Sequence, residues 1–233
     1  MIKLKDLLFE AGGESAGSLE LVSTSVAKAR EFARKKNFNL DKELPNFEAN
    51  YKLAQKKASM GKTKRKDMPV IDDSDVKKFQ RRLETGIIDI NKPFSKQTNS
   101  KNPFPTGLSG LAAKEFIGNG LRDGSKKDDI IPVTITKVSI KALKPIQKQI
   151  YYDKSMGATI QFGVKGSKNF IQNKSFFVIS GDNFIIDGHH RFLSALLIDP
   201  NMKVNALSID LPIKKLLPLS LAYGDAIGNT RNA

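Results

Sequence analysis

The stretch Ser180-Gly-Asp-Asn-Phe-Ile-Ile-Asp-Gly-His-His-Arg-Phe-Leu-Ser-Ala-Leu-Leu-Ile-Asp199 carries the clearest local pattern in the sequence. A polar turn at residues 180–183 precedes a short run of strand-forming residues at 184–186. Asp187 is a favourable helix N-cap, and the apolar residues that follow suit a largely buried helix that ends before Pro200. The pattern therefore predicts a turn, a strand, a tight glycine turn and a helix.

The turn Asp187-Gly-His-His-Arg191, called the 187–191 turn below, is predicted to bind an anion. A helix start presents backbone N–H groups without intrahelical partners and a partial positive charge. Gly188 would let a ligand approach the backbone closely, and His189, His190 and Arg191 add side-chain donors. We therefore predict that phosphate binds these four residues.

Several roles are open for the polar side chains of this turn. Asp187 fits an N-cap, a base for a hydroxyl acceptor, or a Mg²⁺ ligand. His189 and His190 are the only histidines, and they also fit polar surface positions. A zinc site is not favoured, because the chain has no cysteine and adjacent helical side chains diverge by about 100°.

The run Ile185-Ile-Asp-Gly-His-His-Arg-Phe192, after a Gly-Asp turn, resembles the ParB/sulfiredoxin superfamily. The resemblance extends loosely over residues 131–210, and residues 138–149 resemble the family's entry strand and its segment with proline and glutamine. It implies a small mixed sheet with helices that binds a nucleotide triphosphate, ATP or CTP, at the turn, with Mg²⁺ as a companion. It also implies that Gln147 contacts the phosphate. The catalytic residues that it implies are Asp187, His189, His190 and Arg191.

Members of this superfamily include CTP-hydrolysing partition clamps, ATP-dependent sulfinic-acid reductases, a free-serine kinase and reported nucleases. The reductases have a cysteine after the glycine of the turn, where this chain has His189, and the absence of cysteine excludes that reaction. Partition proteins read Gly-Glu-Arg-Arg at the turn, of which only Gly188 and Arg191 match. The resemblance therefore favours a nuclease-like, nucleotide-hydrolysing or kinase-like activity.

The net charge of the chain predicts a polyanionic partner. The 39 basic residues exceed the 24 acidic ones and give a formal net charge of +15. This excess favours nucleic acid, although it also serves solubility. The densest basic run is predicted to contact phosphate backbones without reading sequence, or to form a solvated helix face. Its members are Lys56, Lys57, Lys62, Lys64, Arg65 and Lys66.

The first seventeen residues form an amphipathic stretch, 1–10, and a glycine-rich linker, 11–17. The start resembles the capsid-targeting peptides of internal head proteins in tailed phages, which are cut after an apolar-x-Glu motif. Leu8-Phe-Glu10 before Ala11 fits that motif, and an ordinary N-terminal helix is the alternative. The resemblance implies a protein of the host cytoplasm that is packaged in a phage head and delivered with DNA.

The predicted fold class is α+β, with a helical N-terminal region followed by a ParB/sulfiredoxin-like mixed sheet with helices. We expect three regions: a leader and linker at 1–17, a mostly helical basic region at 18–129, and the ParB/sulfiredoxin-like domain at 130–233. Helices are predicted over 18–36, 47–59, 72–86, 108–121, 145–154, 188–198 and 212–223, with Pro218 kinking or interrupting the last one. Strands are predicted over 87–90, 130–143, 176–179, 184–186 and 204–211, and a mobile or surface loop over 157–173. The strands 176–179 and 184–186 are predicted to form a hairpin with its tip at 181–183. No apolar run approaches the roughly 20 residues of a membrane span.

Three functional hypotheses follow from these patterns. The first is phosphoryl transfer, or hydrolysis of a nucleotide or phosphodiester, at the 187–191 turn on or near nucleic acid. The second is a non-catalytic basic DNA-binding or virion structural protein. The third is a kinase-like effector that acts on a small molecule or a protein.

Overall fold

The structure is a computed structural model that describes residues 19–71, 73–90, 118, 120 and 127–229, with the backbone alone at residues 73 and 74. Within this part the chain forms seven α-helices and five strands. The helices are α1 (Val26–Lys35), α2 (Leu40–Glu43), α3 (Phe47–Ala58), α4 (Asp73–Glu84), α5 (Tyr152–Asn173), α6 (His189–Ile198) and α7 (Ile213–Ala226). The strands are β1 (Val133–Ser139), β2 (Lys144–Pro145), β3 (Phe176–Ser180), β4 (Phe184–Asp187) and β5 (Lys203–Ile209).

The chain has a mixed α+β fold in which helices precede the sheet, as the sequence predicts. The strand order is β1-β5-β3-β4-β2. The predicted hairpin is confirmed, because β3 and β4 pair antiparallel with Ile179 opposite Ile185. The pairing shifts between Val178 and Ile179, which is the irregularity of a β-bulge. The hairpin delivers the chain directly to the 187–191 turn and α6.

The chain divides into two compact units, each assembled from separate stretches of sequence. Unit 1 comprises Met1–Lys62, Lys137–Phe177 and Gly188–Asn205, and unit 2 comprises Thr63–Thr136, Val178–Asp187 and Ala206–Ala233. The domain boundary that the sequence predicts between residues 129 and 130 stays a prediction, because the neighbouring residues 121–126 lie outside the described part.

The core of unit 1 is built on buried aromatic side chains from α3 and α5. The ring of Tyr51 lies 5.3 Å from that of Phe47 and 5.5 Å from that of Tyr152. Both tyrosine hydroxyls are satisfied, since Tyr51 donates to the Thr24 carbonyl and Tyr152 to the Ala29 carbonyl. Burial raises the pKa of both phenols above its usual value. These contacts fix the start of α5, which lies beside the start of α6.

The core of unit 2 joins α4 to α7. The rings of Phe79 and Tyr223 lie 4.5 Å apart, and both side chains are buried. Arg82 donates from Nη1 to the Tyr223 hydroxyl at 2.7 Å. The helix α7 runs through Pro218, so of the two predicted effects of this proline the interruption is wrong, and the kink stays a prediction.

Residues 145–173 differ most from the sequence prediction. The predicted helix over 145–154 is wrong, because residues 146–151 are held extended by partners elsewhere in unit 1. The predicted loop over 157–173 is also wrong, because this glycine-rich stretch belongs to α5. Its buried residues include Phe170 and Ile171, whose packing overrides the low helix propensity of glycine. Only Gly163, with φ 71° and ψ 159°, breaks the helix.

Two other elements also differ from their predicted positions. The helix predicted from residue 18 begins at Val26, where Ser25 accepts the N–H of Lys28 as its cap. The chain before it forms an antiparallel bridge between Glu20 and Tyr151 instead. Residues 87–90 form no strand. The predicted leader at 1–17 and most of the predicted helix at 108–121 lie outside the described residues.

In the part of the chain that the structure describes, every helix is too short or too polar to cross a lipid bilayer.

Candidate functional site

Packing and backbone conformation both explain why residue 188 in the 187–191 turn is a glycine. Gly188 is the N-cap of α6 and has a left-handed backbone, with φ 107° and ψ 19°. A Cβ atom there would lie 2.8 Å from Cδ1 of Phe177 and 3.3 Å from Nη2 of Arg191. Both the φ angle and the space therefore require glycine. Because Phe177 explains the missing side chain, the glycine alone does not indicate close approach of a ligand.

His189 is buried and accepts a hydrogen bond from the backbone. Its side chain is 4% exposed, and the N–H of Gln147 donates to its Nε2 at 3.3 Å. Burial, followed by the charges of His190 and Arg191, lowers the pKa of His189 to about 3. A neutral imidazole with its proton on Nδ1 is the form that this hydrogen bond requires. The geometry makes His189 a positioning residue for the chain around Gln147.

His190 also accepts a hydrogen bond from a backbone N–H of the segment 146–151. The N–H of Tyr151 donates to its Nε2 at 3.3 Å, and the two rings stack at 6.3 Å with 10° between their planes. Nζ of Lys154 lies 5.7 Å from the centre of the Tyr151 ring. His190 is only half-buried. Of the two imidazoles, His190 is therefore the one that solvent reaches.

Arg191 extends to the other side of the turn, towards the start of β3. Its Nη2 donates to the Phe176 carbonyl at 3.1 Å, and its guanidinium carbon lies 5.7 Å from the centre of the Phe177 ring. The side chain is half-buried. The arginine thus keeps a fixed charge beside Gly188, within the first turn of α6.

Asp187 is not the N-cap residue of α6. It is the last residue of β4, and the N-cap position belongs to Gly188. The prediction that Asp187 is the N-cap residue is therefore wrong. Its other predicted roles, as a base or a Mg²⁺ ligand, stay predictions.

The helices α5 and α6 begin side by side and run parallel. Tyr151 contacts His190, and four residues later on each helix the Ser194 hydroxyl donates to the Ser155 carbonyl at 3.0 Å. Because residues 151 and 155 contact residues 190 and 194 in the same order, the two helices run in the same direction and their N-termini lie at the same end of the pair. At the start of α5, the N-cap residue Tyr151 makes no capping hydrogen bond with its side chain, and Asp153 lies in the first turn. Two helix ends with partial positive charge therefore lie together.

Gln147 lies at the site through its backbone. Its N–H binds His189, whereas its side-chain amide donates to the carbonyl of Gln149 within the same segment. The residue is 6% exposed. The structure thus brings Gln147 to the turn, but its side chain is directed away from the predicted phosphate contact.

The predicted basic run divides between the two units. In unit 1, Lys56 and Lys62 are exposed, whereas Nζ of Lys57 donates to the carbonyls of Lys141 at 2.6 Å and Leu143 at 3.1 Å. In unit 2, Lys64 and Lys66 are exposed and Arg65 is half-buried. The ammonium of Lys57 is thus engaged internally, whereas the exposed members keep their charge at the surface.

The carboxylates do not assemble a metal site in the part of the chain that is described. No group of three His, Asp or Glu side chains there lies close enough to hold an ion. An open depression of about 620 Å³ lies beside Val26, Arg30 and Glu48, and the residues of the 187–191 turn do not line it. In the described residues, the turn therefore carries side-chain cations without a carboxylate cage.

The sequence pattern missed Phe177 and Tyr151, which contact Arg191 and His190. Both contacts join residues that are fourteen or more positions apart, so no local periodicity reveals them. In comparisons with known proteins, the chain matches no family model, no curated protein and no solved structure. The ParB/sulfiredoxin resemblance therefore stays a prediction.

Proposed function

We propose that the protein binds the phosphate groups of a nucleotide at the start of α6 and catalyses phosphoryl transfer or phosphodiester hydrolysis on nucleic acid. The observation that supports this proposal is the parallel pairing of α5 and α6, which places two helix starts side by side with Arg191 in the first turn of α6. A strand, a glycine with a left-handed backbone and a helix follow one another at this site.

Electrostatics favours an anion at this position. Each helix start attracts an anion by about 0.3–1 kcal/mol at an exposed site, and two adjacent starts repel each other unless negative charge lies between them. Two α5 amides are already engaged, because the N–H of Tyr151 binds His190 and that of Tyr152 donates to the Leu19 carbonyl. In this proposal α5 therefore contributes its dipole, and α6 contributes donors.

The side chains would divide the chemistry between them. Arg191 would neutralise charge on the transferred phosphoryl group. His190 would donate a proton or hydrogen bond from its half-buried ring, and Asp187 would accept the proton of the attacking hydroxyl or water. His189 would hold the chain at Gln147 in place, because its neutral imidazole already accepts an N–H there.

A nucleotide such as ATP or CTP would supply the phosphoryl group when bound. Mg²⁺ commonly binds through one or two carboxylates together with substrate phosphates, so Asp187 is the residue at the turn that would hold it. The exposed lysines of the basic run support nucleic acid as the partner. For localisation we propose the host cytoplasm or a phage head, supported by the sequence of residues 1–10 alone.

Titration of the purified chain with ATP and with CTP, with and without Mg²⁺, tests the proposal. Arg191→Ala is expected to weaken nucleotide binding about 10- to 100-fold, which corresponds to loss of a charge-assisted hydrogen bond. The matched control is Arg34→Ala, an exposed arginine on α1. Equal affinities of the wild type and Arg191→Ala, or no nucleotide binding by the wild type, would contradict the proposal.

A non-catalytic nucleic-acid-binding protein is the second candidate, and the exposure of Lys56, Lys62, Lys64 and Lys66 favours it. Phosphate release and nicking of labelled DNA separate the two functions. Release or nicking that Arg191→Ala abolishes supports the first candidate. DNA binding without either reaction, unchanged in Arg191→Ala, supports the second.

A further inference from the structure

Two stretches of unit 1 are rich in lysine and free of acidic residues. Residues 49–62 contain four lysines without any Asp or Glu, and residues 137–152 also contain four lysines without any Asp or Glu. Residues 63–136, 74 in number, separate the two stretches in sequence, so local sequence alone does not combine their charges. The structure brings them together.

Three hydrogen bonds to backbone carbonyls join the end of α3 and the residues just after it to the second stretch. Nζ of Lys57 donates to the Lys141 and Leu143 carbonyls, and the N–H of Lys62 donates to the Ile146 carbonyl at 2.9 Å. Gly61 lies so close that a Cβ atom there would stand 2.4 Å from the Gln147 carbonyl oxygen. The two stretches therefore share one surface of unit 1.

This surface reaches the 187–191 turn through a single peptide group. The carbonyl of Ile146 accepts the N–H of Lys62, and the N–H of the same peptide, at Gln147, donates to His189. Lys148 follows directly and is exposed. We call the following side chains the lysine surface: exposed Lys52, Lys56, Lys62, Lys137, Lys141 and Lys148, with half-buried Lys144.

Like charges crowd on the lysine surface. Burial, followed by the charge of Lys144, lowers the pKa of Lys57. Lys52 has a partner in Glu48, and Lys141 binds a neutral side chain, Asn201. A bound polyanion would relieve the repulsion that remains.

We propose that the lysine surface binds the phosphate backbone of a nucleic-acid strand and leads it to the start of α6. The inference rests on the proposed function, since it assigns the strand as the substrate of that site. Lysine is a flexible point charge, which suits backbone phosphates without sequence readout. Met60 is the only large apolar side chain of these stretches that is exposed, so a lipid surface or an apolar protein partner would gain little here.

Fluorescence anisotropy with a labelled 20-nucleotide single strand, at several salt concentrations, tests the inference. Lys62→Glu with Lys148→Glu reverses two exposed charges on either side of the bridging peptide. We expect at least about tenfold weaker binding and a salt slope smaller by about 1.4, or 0.7 for each lost phosphate contact. The matched control, Lys28→Glu with Lys36→Glu, reverses two exposed charges on and just after α1 and should change the affinity much less.

The outcomes separate this inference from the proposed function. Unchanged oligonucleotide binding in the Lys62/Lys148 variant overturns the inference, and so does equal binding of a poly-glutamate chain by the wild type. ATP binding unchanged in the same variant is expected, because α6 is intact. Loss of oligonucleotide binding in the Lys62/Lys148 variant, with nucleotide binding unaffected by Arg191→Ala, sustains the lysine surface and overturns the nucleotide site.

Discussion

Two helices of this protein, α6 and α7, begin just after a strand, and their starts are completed in different ways. At the start of α7, Oδ1 of Asp182 accepts the N–H of Ile213 at 3.0 Å and also the Ser180 hydroxyl at 2.5 Å. At the start of α6, the N-cap residue Gly188 has a left-handed backbone and no side chain with which to cap the helix. The N-terminal turn of α7 is thus completed by a carboxylate, whereas the N-cap residue of α6 provides none.

The proposed function gives this difference a meaning for ligand binding. The carboxylate of Asp182 provides the negative charge that the dipole of α7 favours. The start of α6 lies beside the start of α5, and its first turn carries two histidines and Arg191, with Asp187 directly before the N-cap Gly188. A phosphate from outside would do for α6 what Asp182 does for α7.

The largest expected effect tests the geometry of the α6 start. Gly188→Ala would put a Cβ atom 2.8 Å from the Phe177 ring on a backbone with φ 107°. The left-handed conformation costs about 1–2 kcal/mol and overpacking about 1–3 kcal/mol, so we expect a loss of about 3 kcal/mol in the free energy of unfolding. Urea denaturation followed by circular dichroism measures it.

Gly157→Ala is the matched control for this substitution. Gly157 lies inside α5, and a Cβ atom there would meet no other atom within 4 Å. Alanine in a helix interior is favoured over glycine by about 0.5–1 kcal/mol, so this variant should be as stable as the wild type or more so. Equal stability of both variants would show that Phe177 does not pack against Gly188.

Local patterns sufficed to predict the elements on both sides of this comparison. The hairpin of β3 and β4 followed from strand-forming residues around a polar turn, and α6 and α7 from apolar residues at helical spacing. Residues 146–151 could not be predicted, because their hydrogen bonds go to Leu21, Lys62 and two histidines far away in sequence. The α5 helix was missed since its glycines have low helix propensity, which packing on α6 outweighs.

The same limit applies to the residues of the site. The sequence indicated that Gly188, His189, His190 and Arg191 lie together, because they are consecutive. It could not distinguish the two imidazoles, since the burial of His189 depends on the distant chain at Gln147. A histidine that donates a hydrogen bond to a ligand and one that accepts a hydrogen bond from the backbone cannot be distinguished by sequence alone.

The pH dependence of stability provides the second test, because it reports on His189. The pKa of His189 is lowered from 6.5 to about 3 in the folded protein. Between these values the unfolded chain binds more protons, so this contribution is fully present above about pH 6.5 and is lost as the pH falls towards 3. The free energy of unfolding should fall by up to about 1.4 kcal/mol per pH unit from this residue.

The comparison of two glutamine variants isolates this contribution from the acidic residues. His189→Gln removes the titrating group, so the difference between wild type and variant should shrink as the pH falls from 7 to 4. His190→Gln retains His189, so the contribution of His189 to the change of unfolding free energy with pH should stay as in the wild type. Parallel pH profiles for the wild type and His189→Gln would mean that His189 is accessible to protons in the folded state.

The smallest expected effect is on the start of α7, where the internal anion can be removed. Asp182→Ala removes the oxygen that accepts the N–H of Ile213, and loss of a helix cap costs about 1 kcal/mol. Asp182→Asn keeps an oxygen acceptor without the charge, so it should retain most of this stability. Urea denaturation of both variants, with and without sulfate, measures the effect.

If the cap is mainly a negative charge for the helix dipole, sulfate should restore part of the stability of Asp182→Ala. If Asp182→Asn is as unstable as Asp182→Ala, the charge rather than the hydrogen bond stabilises α7. A bound phosphate at α6 would then act by the same force.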